Sequence, residues 1–321
     1  MEPVIETPTR SVSFFGRVLI AMGDIKLAHS VFALPFAVLG AFLVIPRHGG
    51  GRSAPRTVIW ETFSLMLVLI VICMVFARSW AMLVNRIADA KIDADNPRTA
   101  RRAFASGRLS IRDGYLMLAL NALGFIGSCA LFIVIAQNWY PLILSVPVLV
   151  WIGFYSFTKR FTWLCHVFLG GALAASPIAA AIAVNPDALF GLDSPGVFWI
   201  AGMVACWVAG FDIIYALQDL DYDQEVGLSS IPSRFGWKKA AWLSRLLHVL
   251  ALGCLLMAWH SEPKLGVLFA GAIFIVAGLL FHEHRILAKR GKAGIPMAFF
   301  TLNGIVSVVL GIVGCIDLLV E

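Results

Sequence analysis

Residues 85–102 read NRIADAKIDADNPRTARR and directly follow a long apolar segment. In this stretch Asn85, Asp89 and Asp93 are four residues apart. Because four residues turn a helix by about 400°, the three side chains are predicted to lie along one helix face. Carboxylates so close together repel one another unless a cation lies between them, and oxygen ligands suit a hard divalent cation. The stretch therefore predicts a metal site where an apolar helix ends.

A second acidic stretch, residues 212–236, has the sequence DIIYALQDLDYDQEVGLSSIPSRFG. Asp219 lies seven residues after Asp212 and four before Asp223. On a helix these three acids fall near one face, with Tyr215 between them. Two further acids of the stretch are predicted to be solvated: Asp221 and Glu225. We expect the two acidic stretches to face each other as two halves of one site.

The composition indicates a membrane protein. Of the 321 residues, 60% are hydrophobic and only 14% are charged, whereas soluble domains carry about 25% charged residues. Long uncharged runs, each near the roughly 20 residues that cross a bilayer, account for the shortage. No polar stretch is long enough to form a soluble domain. Residues 1–321 are therefore predicted to form one integral membrane domain, with residues 1–20 as a cytoplasmic N-terminal segment.

Hydropathy predicts an all-α bundle of about nine transmembrane helices around a central cavity. The predicted spans are residues 24–45, 58–84, 114–136, 142–157, 163–184, 197–217, 240–259, 265–282 and 296–319. With the N-terminus in the cytoplasm, all 25 Lys and Arg residues fall on the cytoplasmic side except Arg47, Arg52, Arg56 and Lys264. This bias places both acidic stretches on the cytoplasmic side of the membrane.

Several other features carry no functional prediction. The net charge of +6 comes from the cytoplasmic loops, so no nucleic-acid partner is expected, and no obligate protein partner is evident. None of the six cysteines forms a C-x-x-C pair, which argues against a zinc site or a disulfide framework. His282, Glu283 and His284 resemble a metal-binding triplet, but we expect them to be solvated loop residues at a cytoplasmic helix end.

Two motifs and one shorter element carry a resemblance to a known family. The pattern N-R-x-x-D-x-x-x-D followed by R-T, and later Y-A-x-Q-D-x-x-x-D-x-x-x-G with S-x-P, resemble the aspartate-rich signatures of the UbiA superfamily of intramembrane aromatic prenyltransferases. Tyr155, Ser156 and Lys159 are similar to a third family element, Y-S-x-x-K. The closest likeness is to the 4-hydroxybenzoate polyprenyltransferases and their relatives in menaquinone synthesis. The family often has N-D-x-x-D, so Arg86 here replaces one possible outer ligand.

The resemblance implies a polyprenyltransferase of ubiquinone or menaquinone biosynthesis in the bacterial cytoplasmic (inner) membrane, with Mg²⁺ as cofactor. Asn85, Asp89 and Asp93 would bind one Mg²⁺, and Asp219 with Asp223 a second. Both ions would hold the diphosphate of a polyprenyl donor, whose ionisation gives a carbocation that an aromatic ring attacks. The isoprenoid tail would pass between apolar helices into membrane lipid.

Further residues are expected to contact the substrates. The resemblance implies that Lys159 and Tyr155 donate to the diphosphate, and Arg98 and Arg102 add positive charge beside it. Tyr215, between the acids of the second stretch, is also predicted to contact substrate.

Arg78 lies in the second span, seven residues before Asn85 and about 10 Å deeper on the same helix face. An arginine at that depth is costly without a partner. Either it pairs with a buried acid or snorkels to the surface, or it binds the carboxylate of an aromatic acceptor, which is our hypothesis. Asp212 would orient the acceptor hydroxyl or accept its proton. Lys26 and His29 are weaker candidates for the same pocket.

Three alternatives stay open at this point. The same fold can prenylate another acceptor, such as a naphthoate, haem or a lipid. The buried charges also fit an ion-coupled transporter, although transporters usually place them near the bilayer midplane. A non-catalytic binding protein fits the aligned ligands poorly.

Overall fold

The long apolar stretches of the sequence become long helices. The computed structural model describes residues 13–25, 32–45 and 56–320, and within these ranges the chain forms helices and no strand. The α-helices are α1 (Phe14–Ile25), α2 (Leu34–Leu43), α3 (Arg56–Ala88), α4 (Ala90–Asp95), α5 (Ile111–Ala136), α6 (Tyr140–Thr158), α7 (Cys165–Val184), α8 (Pro186–Phe190), α9 (Gly196–Ala216), α10 (Leu220–Glu225), α11 (Ile231–Ser261), α12 (Val267–Arg290) and α13 (Asn303–Val320). Short segments of other helix types are 3₁₀ at Leu217–Asp219 and Gly291–Gly294, and π at Met297–Leu302.

Among the described residues, eight helices are long and apolar enough to cross a membrane. The remaining predicted span, residues 24–45, contains the short apolar helix α2, and its residues 26–31 lie outside the described ranges. Large apolar side chains point outward from the bundle, for example Val134 and Phe274, which are 80% and 82% exposed. Such a surface belongs in lipid. The protein is a multi-pass membrane protein, and the predicted all-α bundle of about nine helices is confirmed.

The seventh span is longer than its hydropathy indicates. α11 begins at Ile231, before the predicted residue 240, because Ser230 forms a capping box and Pro232 lies in the first turn, where proline is tolerated. Gly236 then interrupts the helix with a φ of +76°, a conformation that L side chains rarely adopt. The predicted loop before this span is therefore shorter than expected, and its end is part of the helix.

Helix α9 lies at the centre of the bundle. It is apolar on nearly all sides, and Trp207, Phe211 and Ile213 are fully buried, as expected for a helix surrounded by others. α7 and α11 pack against it, while α3 packs against α5 and α6. The C-terminal end of α9 carries Asp212 and Tyr215, so these polar side chains start from a rigid, central element.

The two acidic motifs fold alike. Asp89 separates α3 from α4 with φ −93° and ψ 4°, and Asp219 precedes α10 with φ −98° and ψ 7°. Each short helix has six residues and carries the second acid of its motif, Asp93 or Asp223. The amide of Asp93 still donates to the carbonyl of Asp89 (2.7 Å), and that of Asp89 to Asn85 (2.9 Å). The spacing predicted from a continuous helix therefore survives the break at Asp89.

Close helix contacts depend on two glycines. Gly170 of α7 faces the carbonyl oxygen of Ala205 in α9, and Gly40 of α2 faces that of Pro177 in α7. A Cβ at either position would overlap backbone atoms of the neighbouring helix. Small residues at these points let the backbones approach closely, which is how membrane helices pack.

Replacing Gly170 by alanine should therefore destabilise the bundle. We predict that Gly170→Ala lowers the free energy of unfolding by about 1–3 kcal/mol, the usual cost of overpacking, although alanine is normally the better helix former by about 1 kcal/mol. Gly278→Ala is the matched control, because nothing lies within 4 Å of a Cβ there. Denaturant unfolding in detergent measures both variants, and an equal loss in both would contradict the packing argument.

Candidate active site

A polar cavity of about 480 Å³ lies where the ends of α3, α6 and α9 meet. Side chains from both acidic motifs line it, although they are more than a hundred residues apart in the chain. All the predicted site residues are among its lining: Arg78, Asn85, Asp89, Asp93, Arg98, Arg102, Tyr155, Lys159, Asp212, Tyr215, Asp219 and Asp223. The expectation that the two acidic stretches face each other agrees with this placement.

The first acidic motif is buried and paired with basic side chains. Asp89 is 2% exposed, and its carboxylate lies 3.0 Å from the Lys159 ammonium and 2.8 Å from the Arg160 guanidinium. The Asn85 amide also donates to Asp89 (3.2 Å). Arg102 binds both oxygens of Asp93 at 2.7 Å. These bonds balance charges that would be costly if they were buried alone.

The second acidic motif is held by Arg98, which comes from the loop after α4. Its Nε and one terminal nitrogen bind the two oxygens of Asp219 at 2.7 and 2.6 Å, the bidentate geometry that arginine favours. Its other terminal nitrogen donates to the Tyr215 hydroxyl (3.1 Å). Burial alone would lower the pKa of Arg98, but the bonds to Asp219 and Tyr215 outweigh burial and raise it. Asp223 accepts a hydrogen bond from the Ser230 hydroxyl (3.3 Å).

Backbone and side-chain bonds join the two halves of the cavity. The Tyr222 hydroxyl donates to the carbonyl of Ile92 (2.9 Å), which ties α10 to α4. The Ser229 amide donates to the carbonyl of Lys159 (2.9 Å), which ties the loop before α11 to the end of α6. The acids are thus held opposite each other by contacts that do not involve their own side chains.

The donor set fits a divalent cation. Six carboxylates line a single cavity, four of them from the two acidic motifs, together with the Asn85 amide, and oxygen ligands of this kind are those that Mg²⁺ prefers. As they stand, no three acid, His or Cys side chains of the described chain lie close enough together to hold a metal ion. Basic side chains hold three of the acids: Asp89, Asp93 and Asp219. A cation bound at these carboxylates would free the bases to pair with another anionic group.

An apolar pocket of about 330 Å³ adjoins the polar cavity. It runs between α3, α5, α6 and α7, from Tyr155 to Pro141 at the opposite end of α6. Fourteen helical residues separate these two positions, so the pocket extends over about 20 Å. Its wall is almost entirely hydrocarbon, including Phe132 and Ile152. The shape and chemistry suit a long apolar chain.

Arg78 and Tyr155 stand at the junction, since they line both the polar cavity and the apolar pocket. Arg78 is on α3, and its Nε is buried with no hydrogen-bond partner among the described residues. No ion pair to a described acid accompanies Arg78, so the sequence alternative of a buried salt bridge receives no support from the described part of the chain. A half-buried arginine whose Nε is buried and unpartnered at this junction is a ready site for an anionic group.

Some residues in or beside the cavity were missed by the sequence analysis. Arg160 pairs with Asp89, but only its position next to Lys159 hinted at a role. The His166 Nδ1 lies 2.7 Å from Asp212, and both line the cavity. His166 lies inside an apolar run of α7, and nothing in its local sequence relates it to Asp212. Only the packing of α7 against α9 brings this pair together.

Arg86, which stands where the family often has an acid, also forms contacts of its own. It is buried, donates to the Asn85 side-chain oxygen (3.0 Å) and lies 3.7 Å from Asp24, which α1 brings to the cavity edge. The arginine therefore has an acidic counterpart in an N-terminal helix. Lys26 and His29, the weaker candidates for the acceptor pocket, lie outside the described residues.

The interpretation of residues 282–284 as solvated loop was wrong for two of the three. α12 does not end near residue 282 but runs on to Arg290, so this part of the chain is helical. His282 is exposed as expected, but Glu283 is fully buried and His284 hydrogen-bonds to His248 (3.0 Å). The charged residues that follow suggested a helix end in the sequence, but the helix continues and one of its faces points into the bundle. The second predicted set of solvated acids, Asp221 and Glu225, is exposed.

Together these features define an integral membrane enzyme with paired acidic motifs beside an apolar pocket. The chain belongs to the UbiA prenyltransferase family, whose family model matches residues 33–305. It is similar to the 4-hydroxybenzoate octaprenyltransferases of Nitrosomonas eutropha (30% identical, covering 76% of this chain and 82% of that one) and Shewanella loihica (29%, covering 74% and 79%). It is therefore a polyprenyltransferase.

Solved structures agree with this assignment. A UbiA homolog from Aeropyrum pernix K1 matches with a TM-score of 0.76 and 30% identity, over 91% of this chain and 98% of that one. A UbiA homolog from Archaeoglobus fulgidus bound to GPP and Mg²⁺ matches with a TM-score of 0.64 over 93% and 99%. At 17% identity this second likeness concerns the fold.

The Arg98–Asp219 pair should order the loop after α4. We predict that Arg98→Ala increases hydrogen exchange of the amides in residues 96–102, because a charged hydrogen bond contributes about 1.5–3 kcal/mol. That corresponds to roughly tenfold or more in the opening equilibrium. Hydrogen-exchange mass spectrometry in detergent measures the change.

Arg101→Ala is the control for this experiment. It removes the same charge from the same loop, but within the described residues Arg101 pairs with no acid. If both variants exchange equally fast, the loop is ordered by something other than the Asp219 pair.

Proposed function

We propose that the protein transfers a polyprenyl group from polyprenyl diphosphate to an aromatic carboxylic acid resembling 4-hydroxybenzoate, in ubiquinone or menaquinone biosynthesis. The observation that carries this proposal is the junction at Arg78 and Tyr155. There a charged cavity suited to diphosphate meets an apolar pocket suited to a prenyl tail. The names of the curated relatives and the GPP bound by the Archaeoglobus homolog support the same substrates.

The donor diphosphate would lie between the acidic motifs. Asn85, Asp89 and Asp93 on one side, and Asp219 and Asp223 on the other, would hold magnesium. Bound there, Mg²⁺ would neutralise the diphosphate and make it a better leaving group. The Mg²⁺ carried by the Archaeoglobus homolog is consistent with this choice of metal.

Basic side chains would complete the diphosphate site. Lys159, Arg98 and Arg102 already reach into the cavity and would exchange their present carboxylate partners for phosphate oxygens. Arg160, which shares Asp89 with Lys159, would act in the same way. The Tyr155 hydroxyl, at the mouth of the apolar pocket, would donate to the oxygen that leaves the prenyl carbon.

The reaction would then take place at the junction. The allylic carbon–oxygen bond breaks, the electron pair leaves with the diphosphate, and the prenyl chain stays in the apolar pocket as a carbocation. The electron-rich ring attacks this carbon, and a carbon–carbon bond forms. Loss of the ring proton restores aromaticity. Apolar walls keep water away from the cation, which would otherwise be captured as an alcohol.

The acceptor would be held between Arg78 and Asp212. Arg78 is half-buried and has an unpartnered Nε for the carboxylate, and the forked geometry of arginine suits that group. Asp212 would orient the hydroxyl of the acceptor or accept its proton. His166, hydrogen-bonded to Asp212, would fix the direction of that carboxylate.

The distribution of Lys and Arg residues supports a cytoplasmic position for the site. Lys and Arg residues concentrate in the loops on the side of the acidic motifs, which supports a cytoplasmic location for this side. The bacterial relatives suggest the inner membrane. We also propose that residues 1–321 act as one domain, with residues 1–20 on the cytoplasmic side.

A transfer assay tests the proposed function. Membranes containing the protein, supplied with Mg²⁺, a polyprenyl diphosphate and 4-hydroxybenzoate or a hydroxynaphthoate, should form the prenylated acid. Asp89→Ala should lower the rate by about a hundredfold or more, as loss of a key electrostatic group does. Asp221→Ala is the matched control, because this exposed acid pairs with Lys292 outside the cavity, and its rate should equal that of the wild type.

Two outcomes would count against this proposal. If neither aromatic acid gives product, and the wild type and Asp89→Ala are indistinguishable, the site does not catalyse the proposed transfer. In parallel assays that supply haem or a lipid acceptor in place of the acid, product from these acceptors alone would keep the transfer reaction and reject the aromatic acid.

The role of Arg78 has its own test. Arg78→Ala should raise the KM of the acceptor by about tenfold or more, since a charged hydrogen bond contributes about 1.5–3 kcal/mol, and leave the KM of the donor nearly unchanged. Lys159→Ala should do the reverse, because Lys159 would contact only the diphosphate. Steady-state kinetics with each substrate varied in turn separates the two effects. Equal changes in both KM values for Arg78→Ala would exclude an acceptor-binding role.

A further inference from the structure

The chain enters its last membrane helix through an unusual segment. Residues Met297–Leu302 form a π-helix, which then continues as α13 from Asn303. π-helices are rare, make up well under 1% of residues, and often occur at functional sites. The Asn303 side chain donates to the carbonyl of Ala298 (2.8 Å), five residues earlier. In the ordinary helix α5, Asn121 instead donates to the carbonyl of Met117, four residues earlier, also at 2.8 Å.

Asn303 is also the centre of a buried polar network. Its side-chain oxygen accepts from the Trp207 indole (2.6 Å), and its nitrogen donates to Glu283 (3.0 Å) as well as to Ala298. Asn303, Trp207 and Glu283 have no exposed surface. Both amide hydrogens and the amide oxygen are thus used. The network joins α9, α12 and the π segment at one point.

The π segment carries one residue into the polar cavity. Phe299 lines that cavity, and its ring centroid is 4.3 Å from that of Tyr215 and 5.4 Å from that of Phe211. Tyr215 in turn accepts from Arg98, which holds Asp219. Phe299 is thus connected through Tyr215 and Arg98 to the second acidic motif, and Asn303 bonds to Ala298, the residue directly before Phe299.

We infer that Phe299 and Tyr215 form the aromatic wall against which the acceptor ring packs, and that Asn303 and Glu283 are positioning residues that hold Phe299 in this wall. The inference rests on the proposed function for the nature of the acceptor. Ring contacts of this kind prefer offset or tilted geometries, which a flat acceptor extends. The segment Met297–Leu302 thereby becomes a determinant of acceptor specificity.

The π geometry explains why the bond from the Asn303 side chain to the Ala298 carbonyl, here called the clasp, is needed. A π turn holds one residue more than an α turn, and its hydrogen bonds close over five residues instead of four. Relaxation to an α-helix would rotate the residues before the clasp by about 100° relative to α13, the angle of one residue. Phe299 would then leave Tyr215. The Asn303–Ala298 bond spans five residues and so favours the π form directly.

Four variants test the inference by kinetics: Asn303→Ala, Phe299→Leu, the double variant, and the control Asn121→Ala, which removes a similar side-chain bond from an ordinary helix. Asn303→Ala should raise the acceptor KM by about tenfold or more, since misplacement by about 1 Å can cost a hundredfold, with little change in the donor KM. The double variant should be no worse than Phe299→Leu alone. Asn121→Ala should behave as the wild type.

Glu283 gives a second test if Asn303→Ala does not fold. Glu283→Gln keeps an oxygen that accepts from Asn303 and should retain the wild-type acceptor KM, whereas Glu283→Leu should raise it. Additive effects of Asn303→Ala and Phe299→Leu, or equal changes in the KM of both substrates, would overturn the positioning role. Loss of folding in both Asn303→Ala and Glu283→Leu would also overturn it, because the network would then serve the fold alone.

Hydrogen exchange distinguishes a failure of this inference from a failure of the proposed function. Asn303→Ala should increase exchange in residues 297–302, and Asn121→Ala should not, whatever the enzyme does with an aromatic acid. Faster exchange with a wild type that prenylates no aromatic acid would reject the proposed acceptor but keep the clasp. Unchanged exchange in Asn303→Ala, with an active wild type, would reject the clasp.

Discussion

Carboxylates grouped at the end of an apolar bundle require positive charge beside them, and the rest of the site follows from how that charge is supplied. Asp89 is satisfied by Lys159 and Arg160 from the end of α6. Asp219 is satisfied by Arg98 from the loop after α4. In both of these pairs the acid and the base come from different elements, and the pairing draws α3, α6 and the end of α9 around one cavity. A surface ion pair would contribute little, but these acids are partly or wholly buried.

The apolar pocket beside this charged cavity explains why the reaction takes place in a membrane. The polar cavity and the apolar pocket meet at Arg78 and Tyr155, so one end of the proposed donor finds cations and the other finds hydrocarbon. A soluble protein would have to build the long apolar pocket from its own core. Here the pocket lies between membrane helices. The prenyl tail would therefore occupy space within the transmembrane bundle itself.

The sequence predicted those features that depend on local spacing or on hydropathy. Asn85, Asp89 and Asp93 share a face because of a four-residue repeat, and membrane spans follow from composition. Arg160, His166 and Asp24 were not predicted, since each meets its partner only through the packing of distant helices. Glu283 was misread for a related reason. The charged residues after it marked a helix end in the sequence, but α12 continues and turns one face of that region into the core.

A buried polar network is a costly way to join helices. Apolar residues of the same volume often replace buried polar groups without loss of stability, or even with a gain. The Trp207–Asn303–Glu283 network is therefore poorly explained by stability alone. Its position offers a better reason, because the same asparagine holds the π segment that places Phe299 beside Tyr215. Local rules of sequence and structure tend to fail where function needs them to, and here a π turn interrupts an otherwise ordinary membrane helix at the wall of the proposed acceptor pocket.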